Sequence, residues 1–523
     1  MSTFKNKDFY FFLLAVLILD ILFHWHEILH VPPLESHLWR QTDSLTTIQS
    51  YFYDNTPFFK PHTNDYLDFK RNTTLTEFPI LYYISSLFWS FTGEVYWVPR
   101  LLNLLVTLIG AYGLFKITLF YTKSLFAGFL SILFLFSSPT FSIYAISFIP
   151  NVPALGLVFY SWYQAVNYYE NKKKSSLYVA CLSICLAGLL KITLSISLVV
   201  FILISLYLFW KKKIDKKEFI KIQTLLFTSI LLIFSWVLYL KSYNQNSASH
   251  SLFETFSIFS HTFEEFKQIS NKSFWENVTL LEYKYFYILF IIICLYNYFQ
   301  VFRRKNVVLG LIHILYLGGL IIYTSLFCFS FVNHEYYLLD YIPLIILHVI
   351  TFLYFIRDLK QVKYIKLVLL GLGLFFFSNS VAHVISKHFE ATSPFKKVLT
   401  KNLSKSDQDF YDYYRFVSGD RINLYTYRED LKKLKITRKD KVIVLPDNSP
   451  NSPLYFLNLR GVTNYQIYID DNFSNTVKKC HEMGYNYLII FNKADSSLAN
   501  AVSTVENKKL ILDKEHVFIY KLN

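Results

Sequence analysis

Long apolar runs separated by short basic clusters set the rhythm of this chain. With about 20 mostly apolar residues needed to cross a bilayer as a helix, eleven stretches qualify: 8–30, 96–120, 124–141, 152–169, 176–190, 192–210, 222–240, 285–301, 307–331, 336–356 and 364–385. The basic clusters (Lys5 and Lys7, Lys116 and Lys123, Lys172 to Lys174, Lys211 to Lys221, Arg303 to Lys305, Arg357 to Lys366) all fall on one side of an eleven-span layout. Positive charge in short loops marks the cytoplasmic face, so the N-terminus is expected inside and the C-terminus outside. Two long loops then face out, 31–95 and 241–284. The first contains an amphipathic stretch, FPILYYISSLFWSF at 78–91, too short to span and expected at the interface. After residue 387 the pattern shortens. KVIVLP (441–446), YQIYI (465–469), YNYLIIF (485–491) and HVFIYKL (516–522) read as strands. PLYFLNLRG and SNTVKKCHEMG read as short helices closed by Gly461 and Gly484. The pattern predicts an α-helical polytopic membrane domain over 1–385, with 31–95 as its first extracytoplasmic loop, and a small extracytoplasmic α/β domain over 386–523.

Composition agrees. Of the 523 residues 53% are hydrophobic and only 17% charged, where a soluble chain carries about a quarter. The net charge of +15 resides in the topology clusters, which excludes nucleic acid as the reading of that charge. Of the five cysteines, Cys181, Cys185, Cys294 and Cys328 lie in apolar runs and only Cys480 lies beyond them, so neither a disulfide framework nor a zinc spacing is present. No small-residue cleavage site follows the first run, which reads as a retained anchor.

Polar chemistry concentrates in the first outer loop, in HLWRQTDSLTTIQSYFYDN (37–55). Asp43 comes shortly after the first span, and the residues after it look helical with Asp43 or Ser44 as N-cap. A carboxylate there can act as general base on an acceptor hydroxyl, worth roughly 10²–10⁴ in rate; equally, Asp in that position commonly caps a helix.

WRQTD in that loop, then TEFPILYYISSLFWSFTGEVYWVPRLLNLL (76–105) and NHEYYLLDYIPLIIL (333–347), together resemble bacterial glycosyltransferase family 39. That family is related to the protein O-mannosyltransferases and to the aminoarabinose transferases of lipid A, within the GT-C fold. The resemblance covers roughly residues 20–347, and the C-terminal domain resembles the outer-face domain such proteins often carry. It implies a bacterial cytoplasmic-membrane enzyme that takes a sugar from a polyprenyl-phosphate carrier and transfers it with inversion at the outer leaflet. It also implies that Asp43 is the essential acid. Many relatives have Asp-Glu here, whereas Ser44 follows Asp43, and Glu77 stands as the replacement for the missing acid.

The donor phosphate calls for cations. Arg100 matches an arginine of the relatives or snorkels at the interface. Lys191, alone between two apolar segments, is a functional residue by default or marks a tight outer turn. Arg40 is the third cation, with Asp43 as its alternative partner. His334 and Tyr337 are candidate sugar or donor contacts, although tyrosine also favours membrane interfaces. Asp43, Glu77 and His62 have no metal-ligand spacing, so neither metal nor other cofactor is expected. The acceptor is a glycan, lipid or protein. A polysaccharide-lipid flippase and an outer-face glycan polymerase or ligase remain the alternative readings.

Overall fold

The computed structural model describes residues 5–34, 37–66, 69, 77–244, 257–260, 262, 264–265, 267, 272–389, 394–401, 403–470, 472–491, 496–514 and 517–523. Half of the stretch FETFSIFSHTFEEFKQ (253–268) of the second outer loop lies outside them, as does Thr76.

All eleven stretches predicted to span fall on helices. Seven of the described helices are long and apolar enough to cross a membrane: Trp97–Thr122, Ile192–Trp210, Lys216–Asn244, Phe286–Arg303, Val307–Phe327, Glu335–Ile356 and Val362–His388. The pair Leu125–Phe136 and Pro139–Ala145 makes an eighth if counted together, bent by 87°. Ser138 produces the bend: its hydroxyl accepts from the Phe141 amide, and Pro139 opens the second helix, where a missing N–H costs nothing. The other three predicted spans are helices that fall short of that count. Lys174–Leu190 has 17 residues, Asn151–Asn171 ends in a polar turn, and Lys5–Phe23 opens on Lys5, Lys7 and Asp8. The interfacial stretch forms the helix Ile80–Thr92.

Large apolar side chains face outward in stripes. Phe227, Leu231, Leu232, Phe234 and Leu238 on one helix, and Ile288, Ile291, Ile292, Leu295 and Phe299 on another, are each more than half exposed. Water does not tolerate continuous apolar surface of that extent, whereas hydrocarbon solvates it. The chain is a multi-pass membrane protein.

The chain divides into two compact units. The first takes 1–30, 100–236 and 255–404 and holds most of the helical bundle. Two of its helices, Trp97–Thr122 and Asn151–Asn171, approach closely through their backbones: a Cβ on Gly110 would stand 2.2 Å from the Gly156 carbonyl oxygen. Small residues at such crossings let helices pack through their backbones.

The second unit takes 31–99, 237–254 and 405–523. The first outer loop therefore folds together with the C-terminal segment, a grouping that differs from a cut at 385/386. Its sheet comprises β1 (Lys441–Leu445), β2 (Arg460–Val462), β3 (Tyr485–Phe491), β4 (Lys508–Lys514) and β5 (Val517–Leu522), in the order β2-β1-β3-β5-β4. β2, β1 and β3 run parallel, while β5 and β4 are antiparallel additions. Three of the four expected strands are present. YQIYI is not a strand, because Thr463 and Gln466 close a turn there: the Gln466 amide donates to the Thr463 carbonyl at 3.0 Å and the Gln466 side chain accepts from the Thr463 amide at 2.9 Å.

Gly484, with φ +89, follows the helix Phe473–Glu482 as expected. Gly461 does not close a helix. The helix Ser452–Leu457 ends earlier, on Asn458 in the left-handed region, and Gly461 lies within β2, where a Cβ would meet the Val442 carbonyl oxygen at 1.9 Å. Its amide donates to the Asn64 carbonyl at 3.0 Å and its carbonyl accepts from the Tyr66 amide at 2.8 Å. The outer loop thus pairs with the edge of the sheet, and Tyr66 is buried in the sheet's apolar core.

Candidate active site

The site is built on the helix Leu38–Asp54. This helix begins at Leu38 with His37 in the N-cap position, five residues before Asp43. The capping role for Asp43 is overturned: it lies inside the helix, in its second turn. The helix is unusual in burying Gln41, Thr42, Ser44, Thr46, Thr47, Gln49 and Ser50. Its hydroxyls satisfy themselves locally: Thr46 and Thr47 both donate to the Asp43 carbonyl at 2.9 Å. The remaining polar groups reach other segments of the same unit. Thr42 Oγ1 lies 3.1 Å from Ser452 Oγ, and Gln49 donates to Glu94 at 2.9 Å.

Two arginines of the C-terminal segment clamp this loop. Arg438 donates to both oxygens of Asp54, at 3.1 and 2.7 Å, and to Asn64 at 2.9 Å. Arg428 grips Glu94 at 2.6 and 3.2 Å and also donates to the Tyr455 and Phe456 carbonyls. Two-pronged arginine–carboxylate contacts fix orientation as well as charge.

Asp43 is half-buried as a residue, and its carboxylate is packed about by protein. Loss of solvent pushes its pKa up to about 6, against the pull of Arg40 and of a hydrogen bond from Asn451. That bond is short: Asn451 Nδ2 donates to Asp43 Oδ1 at 2.7 Å. Beside it lies a second carboxyl that the sequence reading passed over. Asp65 is 2% exposed. Burial pushes its pKa up to about 7, Thr63 and Asn451 bond to its charged form, and the neighbouring Asp43 charge raises it further. Burial likewise holds the His62 imidazole down to about 4.

The other site candidates fall into separate places. Arg40 forms an ion pair with Glu77, its charge also acts on Asp43, and its guanidinium donates to Ser44 at 3.3 Å. His62 approaches Asp54 at 3.5 Å, so Asp43, Glu77 and His62 each face a different partner. In the first unit, Arg100 is 1% exposed, donates to the Ile146 carbonyl at 2.6 Å and stacks over Phe148 at 4.0 Å. Lys191 sits in extended conformation between two helices. Its ammonium is 2.7 Å from Asp340 and 5.6 Å from the Tyr337 ring. The His334 and Tyr337 rings are 5.7 Å apart. Lys191, Tyr337 and His334 thus form one polar cluster, joined by Asp340. An acid within the apolar run YYLLDYIPL was the available signal for Asp340, since a lysine between spans calls for a counter-ion. Among the described residues, His24, His26 and Glu27 place ligand atoms within 4.8 Å of one another, but the Lys396 ammonium already stands 3.2 Å from Glu27.

No family model and no curated protein matches this sequence. Solved structures do. A multi-pass helical domain with a small sheet domain formed from its last segment is the GT-C architecture of membrane glycosyltransferases, and that is the fold of this chain. ArnT from Cupriavidus metallidurans matches over 99% of this chain and 98% of its own, with a TM-score of 0.56 and 11% identity. The same protein bound to undecaprenyl phosphate matches equally well. The oligosaccharyltransferase from Archaeoglobus fulgidus matches over 96% of this chain and 72% of its own, with a TM-score of 0.56 and 10% identity.

Proposed function

We propose that the protein is a glycosyltransferase that moves a sugar from a polyprenyl-phosphate donor to an acceptor hydroxyl at the outer face of the cytoplasmic membrane, with Asp43 as general base. The observation that carries this reading is the state of Asp43: a helix-interior carboxylate, desolvated and held by an amide, with a pKa of about 6. Such a group is ionised at neutral pH yet basic enough to take a proton. The full-length likeness to a protein whose structure holds undecaprenyl phosphate supports the donor class, and the basic clusters support the outer-face placement.

In the reaction, the acceptor O–H proton passes to Asp43 as the acceptor oxygen bonds to the anomeric carbon. The bond from that carbon to the phosphate oxygen breaks, the polyprenyl phosphate leaves with the electron pair, and the anomeric configuration inverts. Within the first unit, Lys191, with Asp340, Tyr337 and His334 around it, is our candidate for a phosphate-binding cation. Arg100, engaged with the 146–148 turn, shapes the first unit, and the Arg40–Glu77 pair supports the Asp43 helix.

The test is consumption of a labelled polyprenyl-phosphate-sugar panel by membranes carrying wild type or Asp43→Asn. Consumption by wild type, and a loss of at least a hundredfold in the variant, is the expected result. Equal consumption by both removes Asp43 from the reaction. Consumption by neither, with acceptor-containing membranes present, removes the transferase reading.

A further inference from the structure

The amide of Asn451 faces three groups at once. Its Oδ1 accepts from the backbone amide of Asn64 at 3.0 Å, which fixes which end of the amide is nitrogen. Nδ2 therefore points the other way, donating to Asp43 Oδ1 at 2.7 Å and also bonding to the Asp65 carboxyl. Asn451 is 1% exposed and immediately precedes the helix Ser452–Leu457, whose Ser452 meets Thr42 on the Asp43 helix. The Asp65 backbone is fixed as well, bridged to Gly461 of β2. A primary amide has two N–H donors, one for each carboxyl. The polar groups facing the pair come from three segments: Arg40 from the Asp43 helix, Thr63 beside Asp65, and Asn451 from the C-terminal segment.

We propose that the C-terminal segment completes the reaction centre: Asn451 is a positioning residue that orients the Asp43 carboxylate through one N–H, and Asp65 is the second carboxyl of the pair, held through the other. This rests on the reading of Asp43 as base and adds to it what the sequence lacked, a second acid, contributed 22 residues along the loop rather than next to Asp43. Two carboxyls bridged by one amide hold a single proton between them near neutrality. The pair titrates as a unit, and it acts as base in the form in which Asp43 is ionised. Asn451 occupies Oδ1, so Oδ2 is the oxygen that Asp43 offers to the acceptor.

The full-length protein, in membranes, tests this with Asn451→Asp and Asp65→Asn, both nearly isosteric, alongside Asp43→Asn. In Asn451→Asp an amide donor becomes a carboxyl. The expected result is a turnover loss of roughly ten- to a hundredfold, the scale of losing one hydrogen bond to a charged group, with donor KM within about twofold. The acid limb of kcat/KM should move to higher pH, because the stabilising donor is gone and negative charge is added. For Asp65→Asn, infrared difference spectra should lose a protonated-carboxyl band that the wild type shows at pH 6.5, and the pair's two-step titration should become one step. Wild-type turnover and pH profile in Asn451→Asp, with Asp43→Asn inactive, overturn the inference and leave the transferase reading standing. An active Asp43→Asn overturns the reading beneath it. If Asn451→Asp fails to fold, the wild-type minus Asp65→Asn infrared difference decides alone: no loss of protonated-carboxyl intensity in Asp65→Asn sinks the proposal.

Discussion

At the scale of single residues, the site holds its charges at some cost to the fold. Asp43 and Asp65 have pKa values raised to about 6 and about 7 by desolvation, against an unfolded value of about 3.9. Between these limits the folded state binds more protons than the unfolded one, so their contribution to stability is greatest at acid pH and falls as pH rises through the window. Asp54 runs the other way. Arg438 holds its carboxylate below the ordinary range, so its stabilisation is present at neutral pH and lost as pH falls. A comparison within one variant isolates the first effect. Asp43→Asn and Asp65→Asn should each melt above wild type at pH 8, by less per kcal/mol than the about 2–4 °C of a 150–250-residue domain, because the unfolding entropy grows with chain length. At pH 4 the difference should vanish. Melting curves in detergent check this, and a variant that melts below wild type at pH 8 contradicts it. Glu282 is a parallel case: fully buried beside Ser137 at the broken helix, its carboxyl is pushed well above the usual range by burial. Glu282→Gln should therefore preserve the melting temperature at pH 7, whereas Glu282→Lys, which forces a charge into that place, should prevent folding.

At the scale of elements, close backbone approach decides where side chains are forbidden. Trp97–Thr122 and Asn151–Asn171 meet at Gly110 and Gly156, and a Cβ on Gly156 would stand 2.6 Å from the Val106 carbonyl. Backbone on both sides leaves nothing flexible to yield. Gly156→Ala should destabilise by about 1–3 kcal/mol and Gly156→Leu should abolish folded yield, read as monodisperse protein after detergent extraction. Gly371 makes a control, because a Cβ there meets nothing within 4 Å, and Gly371→Ala should be neutral or slightly stabilising through helix propensity. An equal effect at both positions would show that the crossing is not the constraint.

At the scale of the whole molecule, the soluble-looking end of the chain is part of the same compact unit as the first outer loop. Arg428 and Arg438 satisfy Glu94 and Asp54, β2 pairs with the loop backbone at Asn64 and Tyr66, and Tyr66 lies in the sheet's core. Removing 405–523 would strip these partners from a helix that buries seven polar side chains and leave carboxylates without their cations. Truncation after residue 404 should give protein whose first outer loop is cut rapidly by added protease, and it should consume no donor. A truncated chain with an intact, resistant loop would show that the loop folds without the C-terminal segment.

Much of the architecture was legible because it is written locally. A bilayer-length apolar run specifies a helix whatever its neighbours do, and so all eleven stretches are helical. Alternation and turn residues exposed β1, β3 and β5 for the same reason. β4 escaped because KKLILDK is a half-exposed edge carrying three lysines and an aspartate, a pattern that protects sheet edges and reads as surface. β2 escaped because three residues have no period. Asp43 was visible as an acid at the right distance from the first span, but its helix began earlier than its polar content predicted. Its partners were beyond reach of the sequence. Asn451 lies 408 positions away and Asp65 sits in a loop without repeat, and hydrogen bonds between isolated polar side chains leave no periodic trace. Hydrophobic pattern alone determined that this chain crosses a membrane and ends in an α/β segment. Only the tertiary structure decided which amide, carboxyl and cation meet, because that choice is made by side chains brought together after the backbone has folded.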